Sequence, residues 1–255
     1  MAGNTLTPVE THDGILVKRD DLFTFGGASG GKVRTCLELA KAATNPVGLI
    51  TAGTRGSPQV EIVALVAKAL DLKCRVHVPA SAKPSPELES ARAAGAEACE
   101  HRPGYNSVII ARAREDAESS GWVHIPFGME CEMAVEMTAA QVKSLKHLDF
   151  NRLVVPVGSG MSLAGILTGM LRHNLTFPVL GISVGADPTA RLHRWAPMFQ
   201  WEQMCKVVES GAPYSRPVVA ALGDLKLDPY YEAKCVKHLR PGDLFWVIGH
   251  RVTFS

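Results

Sequence analysis

The sequence predicts an α/β protein made of doubly wound units with mainly parallel sheets. Two observations carry this prediction. Short β-branched and apolar runs such as Gly48–Ala52 and Leu153–Val157 recur along the chain, and stretches with apolar residues at helical spacing alternate with them. The 255 residues, of which 46% are hydrophobic and 20% charged, are enough to bury a core in one large domain or two smaller ones.

The strands are predicted from their apolar, β-branched composition, and the helices from apolar spacing and end signals such as Asn45-Pro46, Pro86 and Gly95. The predicted strands cover Ile15–Val17, Gly48–Ala52, Arg75–Val78, Trp122–Ile125, Leu153–Val157, Val179–Val184 and Leu244–Ile248. The predicted helices cover Val33–Ala43, Gln59–Leu70, Pro86–Ala94, Asn106–Glu118, Cys131–Leu145, a segment from Leu163, and Tyr230–Leu239. Residues 188–217 carry no clear pattern and receive no assignment.

Composition narrows the class of protein. A net charge of +2 gives no basic field of the kind that nucleic-acid or membrane surfaces attract. The six cysteines are scattered without Cys-x-x-Cys pairs, which favours reduced thiols over a disulfide framework or a zinc site. The nine histidines show no paired metal-binding spacing, so no metal is predicted. With neither a leader pattern nor a long apolar run, we expect a cytoplasmic, enzyme-like protein without membrane contact.

The segment TFGGASGGKVRT, residues 24–35, places one lysine behind two glycine pairs. Glycine lets the backbone turn sharply or lie close to a ligand, so Lys32 is either a solvated surface residue or one delivered to a cofactor. Gly26 and Gly31-Lys32 also have the spacing of a nucleotide-binding P-loop, but Val33 stands where that motif needs a hydroxyl for magnesium. A P-loop nucleotide binder is therefore disfavoured.

Three further segments follow strands or open helices. Gly158-Ser159-Gly160-Met161-Ser162 lies between an apolar strand and a helix, where free N–H groups suit a phosphate, although a plain tight turn fits as well. Thr54-Arg55-Gly56-Ser57-Pro58-Gln59 lies in the same context, and on its own it reads as a helix cap. Asp228-Pro229-Tyr230-Tyr231-Glu232-Ala233-Lys234 reads as a turn that opens a helix.

Together these segments resemble the pyridoxal-phosphate (PLP) enzymes of the tryptophan-synthase-β fold type (fold type II), in the branch of aminocyclopropane-carboxylate deaminase and D-cysteine desulfhydrase. Lys18-Arg19-Asp20-Asp21 and Gly31-Lys32-Val33-Arg34 resemble that branch's Lys-Arg-Glu/Asp-Asp and Asn-Lys-x-Arg. Residues 54–59 fall where the family has its substrate loop, Pro126-Phe127-Gly128 resembles its Ile-Pro-x-Gly turn, and residues 228–234 match Asp-Pro-x-Tyr-Glu-x-Lys. The order and spacing agree over most of the chain.

The resemblance implies a role for each segment. Lys32 would be the Schiff-base lysine, residues 158–162 would bind the cofactor's phosphate, and Glu232 would face its pyridine nitrogen. Tyr231 would act as an acid–base or positioning group at the reacting carbon, and the Thr54 hydroxyl would hold the substrate or relay a proton. The loop residues Thr54, Arg55, Gly56 and Gln59 would bind the substrate.

The resemblance also implies a homodimer in which each chain has two domains with PLP in the cleft between them. The larger domain would comprise residues 1–42 and 127–255, and a smaller inserted domain residues 43–126. The expected activity is lyase- or deaminase-like carbanion chemistry at the α-carbon of a small-molecule amino acid.

This sequence departs from the family pattern mainly on the substrate side. Gly31 stands where the family has an asparagine, and Arg55-Gly56 stands in place of an Asn-His/Gln pair. Met161 replaces a glycine of the phosphate loop, and Ile248-Gly249-His250-Arg251 stands in place of Thr-Gly-Gly. Two alternatives therefore remain open. One is the same PLP chemistry (decarboxylation, elimination or replacement) on an amino acid attached to a larger carrier such as a nucleic acid. The other is a non-catalytic PLP-fold binding protein, against which the presence of Lys32, Tyr231 and Glu232 argues.

Overall fold

The computed structural model describes residues 5–196, 201–249 and 251, and within them the chain divides into two compact units. The larger unit comprises the described residues of Met1–Phe23 and Cys131–His250, and the smaller one those of Thr24–Glu130 and Arg251–Ser255. Residues 24–42 and 127–130, which the sequence predicts to belong to the larger domain, lie with the smaller unit. Helix α1 (Gly31–Ala42) packs there on α2 (Pro58–Ala69).

The larger unit is built on a six-stranded sheet in the order β1-β2-β12-β9-β10-β11. Only the pair β1 and β2 is antiparallel. Its strands are β1 (Val9–His12), β2 (Ile15–Arg19), β9 (Arg152–Val157), β10 (Val179–Ser183), β11 (Cys205–Glu209) and β12 (Asp243–Val247). Its helices are α5 (Glu132–Gln141), α6 (Met161–Arg172) and α7 (Thr189–Trp195). Apolar side chains of adjacent strands, among them Val17, Val154, Ile182 and Phe245, form its core.

The smaller unit contains a four-stranded, wholly parallel sheet in the order β7-β6-β5-β8, and a short antiparallel hairpin, β3-β4. Its strands are β3 (Thr24–Phe25), β4 (Ala28–Ser29), β5 (Gly48–Ala52), β6 (Lys73–Pro79), β7 (Glu97–His101) and β8 (Val123–Ile125). Besides α1 and α2, its helices are α3 (Pro86–Ala93) and α4 (Asn106–Ser120). Alternation of parallel strands and helices in both units confirms the predicted α/β class.

Several element predictions need correction. The helix predicted over Tyr230–Leu239 is wrong: the segment forms two short 3-10 turns, Glu232–Lys234 and Val236–His238. Consecutive residues 232–235 are all buried, so no exposed helical face exists there. The unassigned stretch 188–217 contains α7 and β11, although its residues 197–200 lie outside the described part. The predicted helix Cys131–Leu145 is α5 followed by a 3-10 turn, and β1 and β7 were missed. None of the described helices has the length and apolarity needed to span a bilayer.

Candidate functional site

Lys32 lies in the first turn of α1, directly after the glycine-rich hairpin. Gly26 stands at the hairpin turn with φ of +63°, and a Cβ there would lie 2.7 Å from the Leu65 carbonyl oxygen. Gly30 precedes α1 with φ of +99°. These positions need glycine for backbone geometry, and the result is that Lys32 is fixed at the start of a helix rather than on a mobile loop.

The environment of the Lys32 amine favours its neutral form. Burial lowers its pKa from the ordinary 10.5 to about 8, and the positive charge of Arg251 contributes to the shift. Arg251 is itself 3% exposed, and its Nη1 donates to the Gly56 carbonyl oxygen at 2.8 Å and to Glu87 Oε1 at 2.6 Å. With a pKa of about 8, roughly a tenth of the amines are neutral at pH 7, against fewer than about one in a thousand for an ordinary lysine. The site therefore holds a lysine that can act as a nucleophile.

The loop at residues 54–59 connects β5 to α2 and caps that helix. Ser57 is the N-cap, its Oγ accepts from the Gln59 N–H at 3.3 Å, and Pro58 opens the helix. The amide Nε2 of Gln59 donates to Thr51 Oγ1 at 2.9 Å and to the Pro126 carbonyl oxygen at 2.7 Å. Gln59 is thus buried against the neighbouring strand, where it holds the loop in place.

The other predicted members of this loop are more open. Thr54 is half-buried, and its carbonyl oxygen accepts from the Ser57 N–H at 3.0 Å. Gly56 is exposed, and its carbonyl oxygen accepts a hydrogen bond from Arg251. Arg251 is the cation that helps to lower the pKa of Lys32, so it connects this loop to the lysine. Arg55 is paired with Glu100 Oε2 at 2.8 Å. In this arrangement the guanidinium of Arg55 is occupied by a carboxylate of the protein.

In the larger unit, Gly158–Ser162 forms the predicted tight turn from β9 into α6. Gly160 has φ of +88°, and α6 begins at Met161, which is buried. The first N–H groups of a helix have no partner within it, and the helix dipole adds a partial positive charge there. The turn therefore has the chemistry of an anion site, while Met161 packs into the core instead of leaving the open space that a glycine gives.

Tyr231 and Glu232 lie beside this turn. A Cβ on Gly158 would be 2.9 Å from Tyr231 Cε1, so the tyrosine ring packs directly on the glycine. The Tyr231 hydroxyl is 3.1 Å from the hydroxyl of Tyr214. Glu232 is 1% exposed, and its Oε1 accepts from the Ile248 N–H at 3.0 Å.

The second carboxylate oxygen of Glu232, Oε2, is buried without a hydrogen-bond partner among the described residues. Burial raises the pKa of Glu232 well above its ordinary value, and the charge of Asp228 adds to the effect. A buried carboxyl oxygen without a donor is costly unless a ligand supplies one. Glu232 is therefore suited to accept a proton or a hydrogen bond from a bound group.

Asp228 and Lys234, the two ends of the Asp228–Lys234 motif, hold Tyr231 and its partner Tyr214 in place. Asp228 Oδ1 accepts from the Tyr230 N–H at 2.8 Å and from the Tyr231 N–H at 3.1 Å, which makes a tight turn in place of the predicted helix. Lys234 is 1% exposed, and its Nζ donates to the carbonyl oxygens of Pro213 at 2.8 Å and Tyr214 at 3.2 Å. The motif thus fixes both tyrosines whose hydroxyls meet.

A cavity of about 600 Å³ lies where strands β10 and β11 end, and Tyr214 forms part of its wall. Residues of the loops after both strands line it, including Ser183, Gly185, Asp187, Thr189 and Ser210. A Cβ on Gly185 would lie 3.7 Å from the Cα of Gly158, so the cavity adjoins the predicted phosphate turn. Clefts at the carboxyl ends of parallel strands are the usual ligand sites of such sheets.

The structure brings together Gly158, Tyr231 and Glu232 in the larger unit, and Lys32 with the loop at Gly56 in the smaller one. Sequence reasoning missed Arg251 and Tyr214. Arg251 ends the stretch Ile248-Gly249-His250-Arg251, which stands in place of the family's Thr-Gly-Gly and so carries no motif. Within that stretch only His250 lies outside the described residues. Tyr214 lies in residues 188–217, for which the sequence predicts no element. Only the polar residues that follow β10 could have indicated the cavity that Tyr214 helps to form.

The comparison with protein-family models identifies one family. A family model described as pyridoxal-phosphate dependent enzyme matches residues 4–231. No curated protein sequence matches the chain.

Several solved structures share the fold. One is an ACC deaminase homologue at 21% identity and a TM-score of 0.79, over 96% of this chain and 89% of that one. Another is threonine deaminase isoform 2 from Solanum lycopersicum, at 16% identity and a TM-score of 0.69, over 95% and 83% of the two chains. Maize serine racemase has 15% identity and a TM-score of 0.67, over 96% and 88%. These likenesses confirm the tryptophan-synthase-β-like fold.

Proposed function

Because this chain belongs to the family of pyridoxal-phosphate dependent enzymes, we propose that it acts at the α-carbon of an amino acid as a lyase or deaminase. The observation that carries the proposal is Lys32, an amine fixed at the start of α1 with a pKa of about 8. When bound, PLP accepts electron density from the amino acid's α-carbon and stabilises the negative charge that forms there when a bond breaks. We propose Lys32 Nζ as the amine that attaches the cofactor.

The residues of the larger unit fit the rest of the cofactor. Gly158, Ser159, Gly160, Met161 and Ser162 would bind its phosphate with N–H groups at the start of α6, because the helix terminus attracts an anion. The partnerless Oε2 of Glu232 would accept a hydrogen bond from the protonated ring nitrogen and hold that proton in place. Burial raises the pKa of Glu232 in the protein alone, and a positive ring N–H beside Oε2 would favour its ionised form.

Tyr231 and Thr54 are the proposed groups for handling protons and substrate. The Tyr231 hydroxyl is held at 3.1 Å from that of Tyr214, and either oxygen can donate to the other, so a proton can pass along the pair. Thr54 would hold the substrate or relay a proton through its hydroxyl. Gly56 and Gln59 would shape the loop that binds the substrate carboxylate, with Arg55 at its edge.

The substrate is proposed as a free small-molecule amino acid. The alternative of an amino acid carried on a larger molecule such as a nucleic acid rests on Arg55, which would have to leave Glu100 to meet a phosphate. We further propose a cytoplasmic homodimer, supported by the six free cysteines and by the family resemblance.

The test is a screen of single amino acids in deuterated buffer. The purified chain is loaded with PLP, freed of excess cofactor, and mixed with one amino acid at a time, while the visible spectrum and the exchange of the α-proton are followed. A spectral shift with exchange or keto-acid release for at least one amino acid is expected. Stoichiometric PLP with neither response to any amino acid would instead support a non-catalytic binding protein.

A further inference from the structure

Three side chains that commonly bind metals and have no role in the proposed reaction meet on one face of the smaller unit's sheet. His77 on β6 and Cys99 on β7 are partners in register, and Asp116 reaches the same face from α4. One nitrogen, sulfur or oxygen atom from each lies within 4.8 Å of the other two. They are far apart in sequence, which is why no spacing motif marks them.

The imidazole of His77 is held on both sides. Its Nε2 lies 2.9 Å from Asp116 Oδ2, and its Nδ1 lies 2.9 Å from Nε2 of His101, whose ring is stacked on it at 5.0 Å between centroids. His77 is 4% exposed. At 2.9 Å the Nε2 and Oδ2 atoms are hydrogen-bonded when Nε2 carries the ring proton. A metal ion can take the place of that proton between the two atoms.

Metal-binding histidines are usually oriented by a hydrogen bond from the second ring nitrogen. His101 can fill this role by accepting a proton from Nδ1 of His77, which leaves the lone pair of Nε2 for an ion. The arrangement around His77 is therefore that of a liganding histidine with its supporting partner in place.

The charges around the cluster favour a divalent cation. Arg75 pairs with Glu97 at 2.9 Å and with Asp116 Oδ1 at 2.8 Å, so its single positive charge faces two carboxylates. The two carboxylates together outweigh the one guanidinium, so the cluster is net negative before any ion binds.

We propose that His77, Cys99 and Asp116 bind a zinc ion, with water in the fourth position. A nitrogen, a thiolate and a carboxylate oxygen are the ligand types that zinc prefers, and zinc tolerates this mixture in tetrahedral geometry. Zinc–ligand bonds of about 2.0–2.3 Å place ligand atoms roughly 3.5 Å apart. The widest separation in the cluster, at most 4.8 Å, therefore has to shorten, and the 2.9 Å between His77 Nε2 and Asp116 Oδ2 has to widen. Asp116 and Cys99 are only partly buried and can make that adjustment.

The ion would join β6, β7 and α4, three elements of the smaller unit, so its effect is expected on the stability of that unit. Its binding displaces the proton of Cys99 and so releases a proton to solvent. An ion that binds only the folded chain raises its thermal stability in proportion to the logarithm of ligand concentration. The inference does not depend on the proposed function.

The experiment measures zinc bound to the tag-free, PLP-loaded chain after dialysis against a small excess of zinc chloride, by elemental analysis. Cys99→Ser and Asp116→Asn each remove one ligand, and Cys131→Ser is the matched control, because Cys131 is also half-buried but lies in the larger unit. Circular dichroism without zinc checks that each variant folds. Asp116→Asn keeps a group that can hydrogen-bond His77, so this variant still tests the proposal if Cys99→Ser does not fold.

We expect about one zinc per chain in the wild type and in Cys131→Ser, and at least a tenfold lower content in both ligand variants. Zinc should also raise the melting temperature of the wild type and the control but not that of the ligand variants. A wild type that retains no zinc overturns the proposal, and so do ligand variants that retain as much as the wild type.

Discussion

The ring of Tyr231 lies where a side chain on Gly158 would have to be, since a Cβ at residue 158 would approach Tyr231 Cε1 to 2.9 Å. The turn proposed for the phosphate and the tyrosine proposed for proton transfer are therefore packed as one unit. Any side chain at residue 158 has to move the ring, and with it the hydroxyl that meets Tyr214 at 3.1 Å.

Gly158→Ala is expected to weaken PLP binding and to lower the turnover rate together, because the added methyl group pushes Tyr231 away. Overpacking of this kind costs about 1–3 kcal/mol, which corresponds to roughly a 5- to 150-fold change. The measurement is the dissociation constant of PLP and the rate at saturating substrate. Gly104→Ala is the control, since a Cβ there meets only one atom, at 3.9 Å. Equal values for both alanine variants would show that Tyr231 is not set by this contact.

Glu232→Gln is expected to keep the cofactor bound and to slow the reaction by about ten- to a hundredfold. The amide cannot hold the ring proton by charge, and a charge-assisted hydrogen bond is worth about 1.5–3 kcal/mol. The rate of α-proton exchange and the PLP content are measured side by side. Glu115→Gln removes a solvated carboxylate on α4 and should change neither. An unchanged rate at full PLP content would remove Glu232 from the site.

The same substitution predicts a change in the pH dependence of stability without cofactor. The pKa of Glu232 is raised in the folded protein, so between its ordinary value of 4.5 and the higher folded value the native state binds more protons than the unfolded state. Stability from this group is thus present at low pH and lost as pH rises through that window. Denaturant unfolding from pH 4 to about pH 8 should show a smaller fall for Glu232→Gln than for the wild type. Parallel pH profiles would contradict the assigned pKa shift.

Arg251→Met is expected to move the pH dependence of PLP attachment to higher pH. The Arg251 charge helps to lower the Lys32 pKa to about 8, and its removal lets that pKa rise, so fewer amines are neutral near pH 7. The measurement is the rate of cofactor incorporation into the apoprotein across a pH series. Because Arg251 also pairs with Glu87 at 2.6 Å, the double variant Arg251→Met/Glu87→Gln tests whether an unpaired carboxylate causes the effect. An identical pH midpoint in the wild type and both variants would show that Arg251 does not act on Lys32.

The fold was predictable from local patterns, because parallel strands such as Gly48–Ala52 and Leu153–Val157 are buried on both faces and read as continuous apolar runs. The edge strand β7, Glu97–His101, was missed because its side chains are mostly polar and only partly buried. The helix expected over Tyr230–Leu239 failed for a different reason. Asp228 accepts hydrogen bonds from the backbone N–H groups of Tyr230 and Tyr231, and such local bonds compete with helix formation.

The candidate site was predictable where a motif combines unusual residues at short range, as around Lys32, Gly158 and Glu232. Arg251 and the cluster at His77 could not be predicted, since their significance comes from residues that meet only after folding. The pairing of Arg55 with Glu100 is of the same kind, because nothing near Arg55 in the sequence indicates a carboxylate partner.

The central claim is that Lys32 carries the cofactor, and borohydride reduction of the PLP-loaded protein tests it most directly. Reduction fixes the cofactor to its lysine, and proteolysis with mass spectrometry then locates the added mass. We predict that the label lies on Lys32 at about one per chain and is absent after Lys32→Ala, while Lys41→Ala, which changes an exposed lysine at the other end of α1, keeps it. A label on another lysine, with Lys32 unmodified, would contradict the account.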